Sequence, residues 1–176
     1  YLLNNNKPLS FNLENITEND SLKLTLDADY NKSLNLEVIN YKKTKDTIAN
    51  LLINLEKQKD ILIIKNISFR EKINSILAKD VKFKKGKFLS FKNIYIKTNK
   101  NGKKNNDFSV FYGKKILIKG TNFDATYLPK LFNKKKTKSS FLDISKDLEI
   151  DVTNIIAPMS ENLKNFKLIG RIEKGK

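Results

Sequence analysis

The chain contains no cysteine, no histidine and no tryptophan, and Arg70 and Arg171 are its two arginines. Each shortage removes a class of chemistry. Without cysteine there is no disulfide framework, thiolate nucleophile or Cys-ligated zinc. Without histidine the imidazole-dependent serine and cysteine triads are excluded. Six glycines are too few and too scattered for a phosphate-cradling loop, and Lys85-Gly86-Lys87 reads as a hairpin turn. No serine stands in a Gly-x-Ser-x-Gly elbow. No apolar run approaches the ~20 residues of a membrane-spanning helix; Ile61-Leu62-Ile63-Ile64 is among the longest. An enzyme is not expected, nor is a metal or a cofactor.

What is abundant is lysine. Basic residues number 35 against 19 acidic ones, for a net charge of +16, and 33 of the 35 are lysines. Lysine, asparagine and isoleucine together are what an AT-rich coding sequence favours, so part of this charge reflects composition. Nucleic-acid binders rely on arginine for bidentate phosphate and guanine contacts. Nucleic acid is therefore not an expected partner, although the charge favours polyanions in general. A hydrophobic content of 39% is enough to fold, in a shape with much surface for its volume. The first residue is Tyr1, and the chain is expected to be a piece of a longer protein, with targeting signals and any membrane contact in the missing parts. Residues 1–176 read as one segment without an internal boundary or tandem repeat.

Two-residue alternation dominates. From Ser21 to Tyr30 every even position is apolar or aromatic and every odd one polar, giving a strand with one oily and one wet face. Ser33 to Val38 repeats the pattern after Asn31-Lys32, as do Phe91 to Thr98, Phe108 to Val110, Ile116 to Ile118 and Asp147 to Val152; Leu163 to Ile172 is looser. Thr47 to Lys57 fits a helical stripe or a strand. A hairpin turning at Lys57-Gln58-Lys59-Asp60 into Ile61 to Phe69 is favoured, because that partner run is β-branched. One short helix is expected over residues 124–132, capped by Asp124 and shortened or kinked by Pro129. Asn99 to Asn106 and Asn133 to Ser140 read as the longest loops. The expected fold is mainly β, an antiparallel meander.

Asp27 with Asp29, and Asp147 with Glu149 and Asp151, share strand faces. Such carboxylates could hold a hard cation or serve acid–base work, but they read more simply as the wet half of amphipathic strands. Four Asn-x-Ser/Thr triplets, at Asn15, Asn19, Asn31 and Asn66, are near chance in so asparagine-rich a chain.

A sheet with one oily face must cover it with a second sheet, a helix or a ligand. One short helix cannot cover about ten strands, so the sheet either closes as a sandwich or barrel or curls into an open trough. The segment Ile116-Leu117-Ile118-Lys119-Gly120-Thr121-Asn122-Phe123-Asp124-Ala125 bears on this choice. It resembles the strand–Gly-x-x-Phe/Leu-Asp-Ala–helix signature near the C-terminal part of AsmA-like envelope proteins, with Leu148 to Ile155 and Leu163 to Ile172 as the strands that follow.

The resemblance implies a segment of a bridge-type lipid transfer protein, the periplasmic part of an inner-membrane-anchored protein of Gram-negative bacteria. Such proteins are linked to phospholipid movement toward the outer membrane. Its partners would be phospholipid acyl chains and neighbouring segments of the same full-length protein. About ten strands ~4.8 Å apart give a trough on the order of 50 Å long. Leu22, Leu24, Leu26, Leu34, Leu36, Val38, Leu148, Ile150 and Val152 are the candidate lipid-binding lining. The alternatives are a Lys-rich β-sandwich binding or adhesion module recognising polyanions, and a structural spacer.

Overall fold

The computed structural model describes residues 11–18, 21–129, 145–158 and 161–173. Thirteen strands occur among them: β1 (Phe11–Glu18), β2 (Ser21–Tyr30), β3 (Leu34–Leu36), β4 (Tyr41–Lys43), β5 (Ala49–Gln58), β6 (Ile61–Glu71), β7 (Asn74–Lys84), β8 (Lys87–Ser90), β9 (Asn93–Lys100), β10 (Lys103–Tyr112), β11 (Ile116–Asp124), β12 (Lys146–Ile156) and β13 (Leu163–Ile172). Eleven form one sheet in the order β1-β2-β5-β6-β7-β9-β10-β11-β12-β13, with β8 paired to β7. The sheet is mostly antiparallel and is not closed into a barrel.

Tight turns set this order. Asn101 and Gly102 (φ 52° and 74°), and Lys85 and Gly86 (φ 49° and 74°), are paired left-handed residues. Two such residues match the twist of the flanking strands. The Lys85-Gly86 turn falls where the sequence places it, and the hairpin reading of Thr47 to Lys57 holds as β5. The expected loop Asn99 to Asn106 is instead the end of β9, a two-residue turn and the start of β10. One pair departs from the antiparallel meander, since β11 and β12 run parallel, Ile118 opposite Ile150. A parallel pair needs a crossover connection rather than a hairpin.

Ser33 to Val38 also departs from expectation. β3 covers three of its residues, and Glu37–Ile39 is a 3-10 turn ended by left-handed Asn40 (φ 49°). The chain then doubles back, so that β3 and β4 make a separate two-stranded flap. The expected helix start is displaced as well. Asp124 closes β11, the Ala125 N–H still donates to the Ile156 carbonyl (2.9 Å), and helical backbone begins at Leu128. Residues 130–132 of the expected helix, and the expected loop Asn133 to Ser140, lie outside the described residues.

The buried cluster gathers at one end of the sheet, under the flap. Ile39 and Tyr41 of the flap meet Ala49, Phe69, Ile96 and Phe108 of the sheet. Gly120 lies opposite Phe108 at a β-bulge. A Cβ there would come within 2.3 Å of the Asp107 carbonyl oxygen and 2.4 Å of the Phe108 Cβ, so only glycine fits beside the bulged strand.

Candidate functional site

Residues opposite one another in a ladder project from the same face, and register therefore lays out the sheet's surface in rows running across the strands. One row passes from Leu26 to Ile53, Ile67 and Ala78, and on through Ile94, Val110, Ile118, Ile150 and Leu168. Nine strands contribute to it, and no member is polar. The next row toward the flap is equally apolar: Ala28, Leu51, Phe69, Ile76, Ile96, Phe108, Gly120, Val152 and Phe166. Nine strands spaced ~4.8 Å apart carry each row about 38 Å.

The opposite face is mixed. Its row from Thr25 runs through Asn54, Asn66, Lys79 and Asn93 before reaching Phe111 and Leu117. Four of its carboxylates are tied to neighbours: Asp27 accepts from Asn50 Nδ2 (2.7 Å), Asp107 from Lys104 Nζ (2.8 Å), Asp147 from Arg171 (2.8 Å), and Glu149 pairs with Lys115. Among the described residues no group of three acidic side chains is placed to hold a metal ion.

Two polar knots pin the flap over its end of the apolar face. In one, the Asp124 carboxylate accepts from Asn40 Nδ2 (2.8 Å), Asn105 Nδ2 (3.1 Å) and the Thr126 hydroxyl (2.6 Å). Asn106 donates to the Ile39 carbonyl (2.6 Å) and to Thr98 Oγ1 (2.7 Å). The Asp of the Gly-x-x-Phe-Asp-Ala segment is thus a structural hub. In the other knot, buried Glu71 accepts from Tyr41 (2.7 Å), Asn74 (3.1 Å) and Thr47. Burial alone would raise its carboxyl. The hydrogen bonds and the nearby Lys43 charge outweigh burial and hold the carboxyl below the ordinary glutamate range. Lys43, fully buried, donates to the carbonyls of Lys32 (3.0 Å), Thr44 (2.9 Å) and Thr47. Burial pushes its ammonium below the usual lysine range, which Glu71 and Asp46 only partly offset.

The other end of the face has no such cover among the described residues. Leu24, Leu55, Ile64 and Val81 form a half-buried row there, and Phe83, Phe88, Phe91 and Tyr112 stack edge-on or tilted, with centroids 5.2–6.2 Å apart. A recess of about 680 Å³ opens beside them, with Leu62, Ile64 and Phe83 in its lining.

Of the nine candidate lining residues, Leu22, Leu24 and Leu26 on β2 and Leu148, Ile150 and Val152 on β12 lie on this one face. They are brought onto a common surface, near its two edges. Leu34 and Leu36 lie in the flap, packed against the buried cluster, and Val38 points outward, 48% exposed. Sequence reasoning missed the central residues of the face, Ile53, Leu55, Ile64, Val81, Phe83 and Phe88. No family model, no curated protein and no solved structure matches this chain.

Proposed function

We propose that this chain is a lipid-shielding segment of an AsmA-like, bridge-type phospholipid transport protein, in which acyl chains lie on the apolar face and headgroups stay in water. One observation carries the reading: a row of nine apolar residues, unbroken from β2 to β13, on a sheet that stays open. A soluble sheet normally buries such a face against protein. Here the flap covers one end, and among the described residues nothing is fastened over the remainder, which suits a ligand without hydrogen-bonding demands.

The mechanism is passive. Each methylene withdrawn from water contributes about 0.8 kcal/mol, so ten of them hold a tail by roughly 8 kcal/mol. Neighbouring strands offer the same lining, so a tail moves from one to the next without meeting a deep trap. On this reading the chain is no enzyme, and it acts in the periplasm joined to further segments of an inner-membrane-anchored protein.

The test is extraction and mass spectrometry of the purified segment, with photo-crosslinkers at Leu24 and Ile150. Phospholipid adducts from both sites support the reading. Absence of lipid from extract and adducts alike ends it. Salt-sensitive binding to lipopolysaccharide or nucleic acid, with no acyl adduct, would favour the polyanion-binding module instead.

A further inference from the structure

We infer that the turn end of β5, β6 and β7 is a port that receives the anionic phosphate headgroup of an acyl lipid while its tail enters the apolar face; the inference rests on the lipid-shielding reading.

Register supplies the first ground. Along β5 the positions facing the apolar side are Leu51, Ile53, Leu55 and then Lys57, and Lys57 stands opposite Leu22 on one side and Leu62 on the other. A lysine thus occupies a slot that its neighbours fill with leucine, at the last position on this face before the turn. Its stem can lie on apolar surface while the ammonium reaches water. The second ground is the meeting of two turns. The Lys85 N–H donates to the Asp60 carbonyl (3.1 Å), which brings the β5–β6 and β7–β8 turns together and sets Lys59 and Lys85 on the same recess as Lys57. The third is charge. Three lysines and one acid, Asp60, whose carboxylate lies 3.7 Å from Lys85 Nζ, line that recess, giving its rim a net charge of +2 around a floor of Leu62, Ile64 and Phe83. Among the described residues Lys57 and Lys59 make no ion pair. An apolar floor with a cationic rim complements a ligand that is oily at one end and anionic at the other. Lysine, a hydrated point charge rather than a bidentate fork, suits a headgroup that must also leave.

The test incubates the purified chain with vesicles of equimolar dioleoyl phosphatidylglycerol and dioleoyl phosphatidylcholine, removes the vesicles by flotation and counts the lipid left on the protein. The wild type is expected to hold phosphatidylglycerol about tenfold over phosphatidylcholine, each lysine contributing up to about fivefold. K57Q/K59Q/K85Q should bring the ratio close to one without reducing phosphatidylcholine, and circular dichroism checks its fold. K23Q/K119Q/K167Q, exposed lysines of the polar face, should leave the ratio unchanged. An unchanged ratio in the first triple variant, or an equal drop in the second, overturns the port and leaves the shielding reading standing. Lipid on neither wild type nor variants overturns both.

Discussion

The two ends of the apolar face are made of the same residue types and differ in how they are covered. Under the flap, Phe69, Ile96 and Phe108 are buried and the flap is fastened by the Asp124 and Glu71 knots. At the turn end, Leu24, Leu55, Ile64 and Phe83 are only half-buried, and lysines stand where a polar lid would otherwise sit. Hydrophobicity alone does not distinguish core from binding surface. The difference is whether the chain spends polar side chains on fastening a cover. The flap end should therefore carry the stability and the turn end the ligand.

The largest expected effect is at the flap end. Phe69→Ala removes a buried ring edge-on to Tyr30 (6.0 Å) and Tyr41 (6.3 Å), and urea unfolding should show a loss of about 4 kcal/mol. Gly120→Ala should cost about 3 kcal/mol, because its methyl group meets backbone and Cβ atoms that cannot rotate away. A loss below 1 kcal/mol for either would mean that the flap is not the stabilised end.

Glu71→Gln sharpens the comparison through pH. The substitution replaces one acceptor oxygen by an NH2 that cannot accept, so at least one of the three donors loses its acceptor, at an expected cost of about 2 kcal/mol near neutrality. The folded carboxyl titrates below its ordinary value of 4.5. Its contribution is therefore complete above that value, where the unfolded chain is already ionised, and is lost as pH falls through the lower, folded value. Urea midpoints of wild type and variant should converge in that acid window. A gap independent of pH would mean that Glu71 acts by shape alone.

Much of the sheet is legible in the sequence, and its gaps have physical causes. β2 and β13 fall on the residues where alternation places them, and β12 extends the Asp147 to Val152 run at both ends. β7 was not legible because its apolar face is carried by Ile76 and Ala78, then by Val81 and Phe83. The parity changes at Asp80 (φ 52°), level with the extra residue that β6 inserts between Ile64 and Asn66 opposite β5. A bulge of this kind erases the two-residue signal while preserving the face. The start of β10 reads as loop because Asn105 and Asn106 are polar, yet both are buried, and the flap consumes their amides. The flap itself alternates like a sheet strand, and only left-handed Asn40 diverts it. The parallel partner of β11 is a matter of chain return, which local pattern does not encode. The candidate site was legible at β2 and β12, where alternation is clean, and illegible at its centre, where the bulge lies.

The smallest stability effect is expected where the ligand effect is greatest. Leu24 sits in the half-buried row with Leu55 and Ile64, so Leu24→Ala withdraws little area from protein contacts and should cost about 1 kcal/mol or less. The same truncation removes methylenes from the surface a tail would cover, and lipid retained after flotation should fall about threefold, in line with a partial loss of buried area. Paired with Phe69→Ala, it makes a crossed experiment: one variant loses stability and, once folded, keeps lipid, while the other keeps stability and loses lipid. A Leu24→Ala protein that unfolds as readily as Phe69→Ala would mean that the turn end is core after all, sealed by parts of the chain that pack over it, and the open lane would have no place in the molecule.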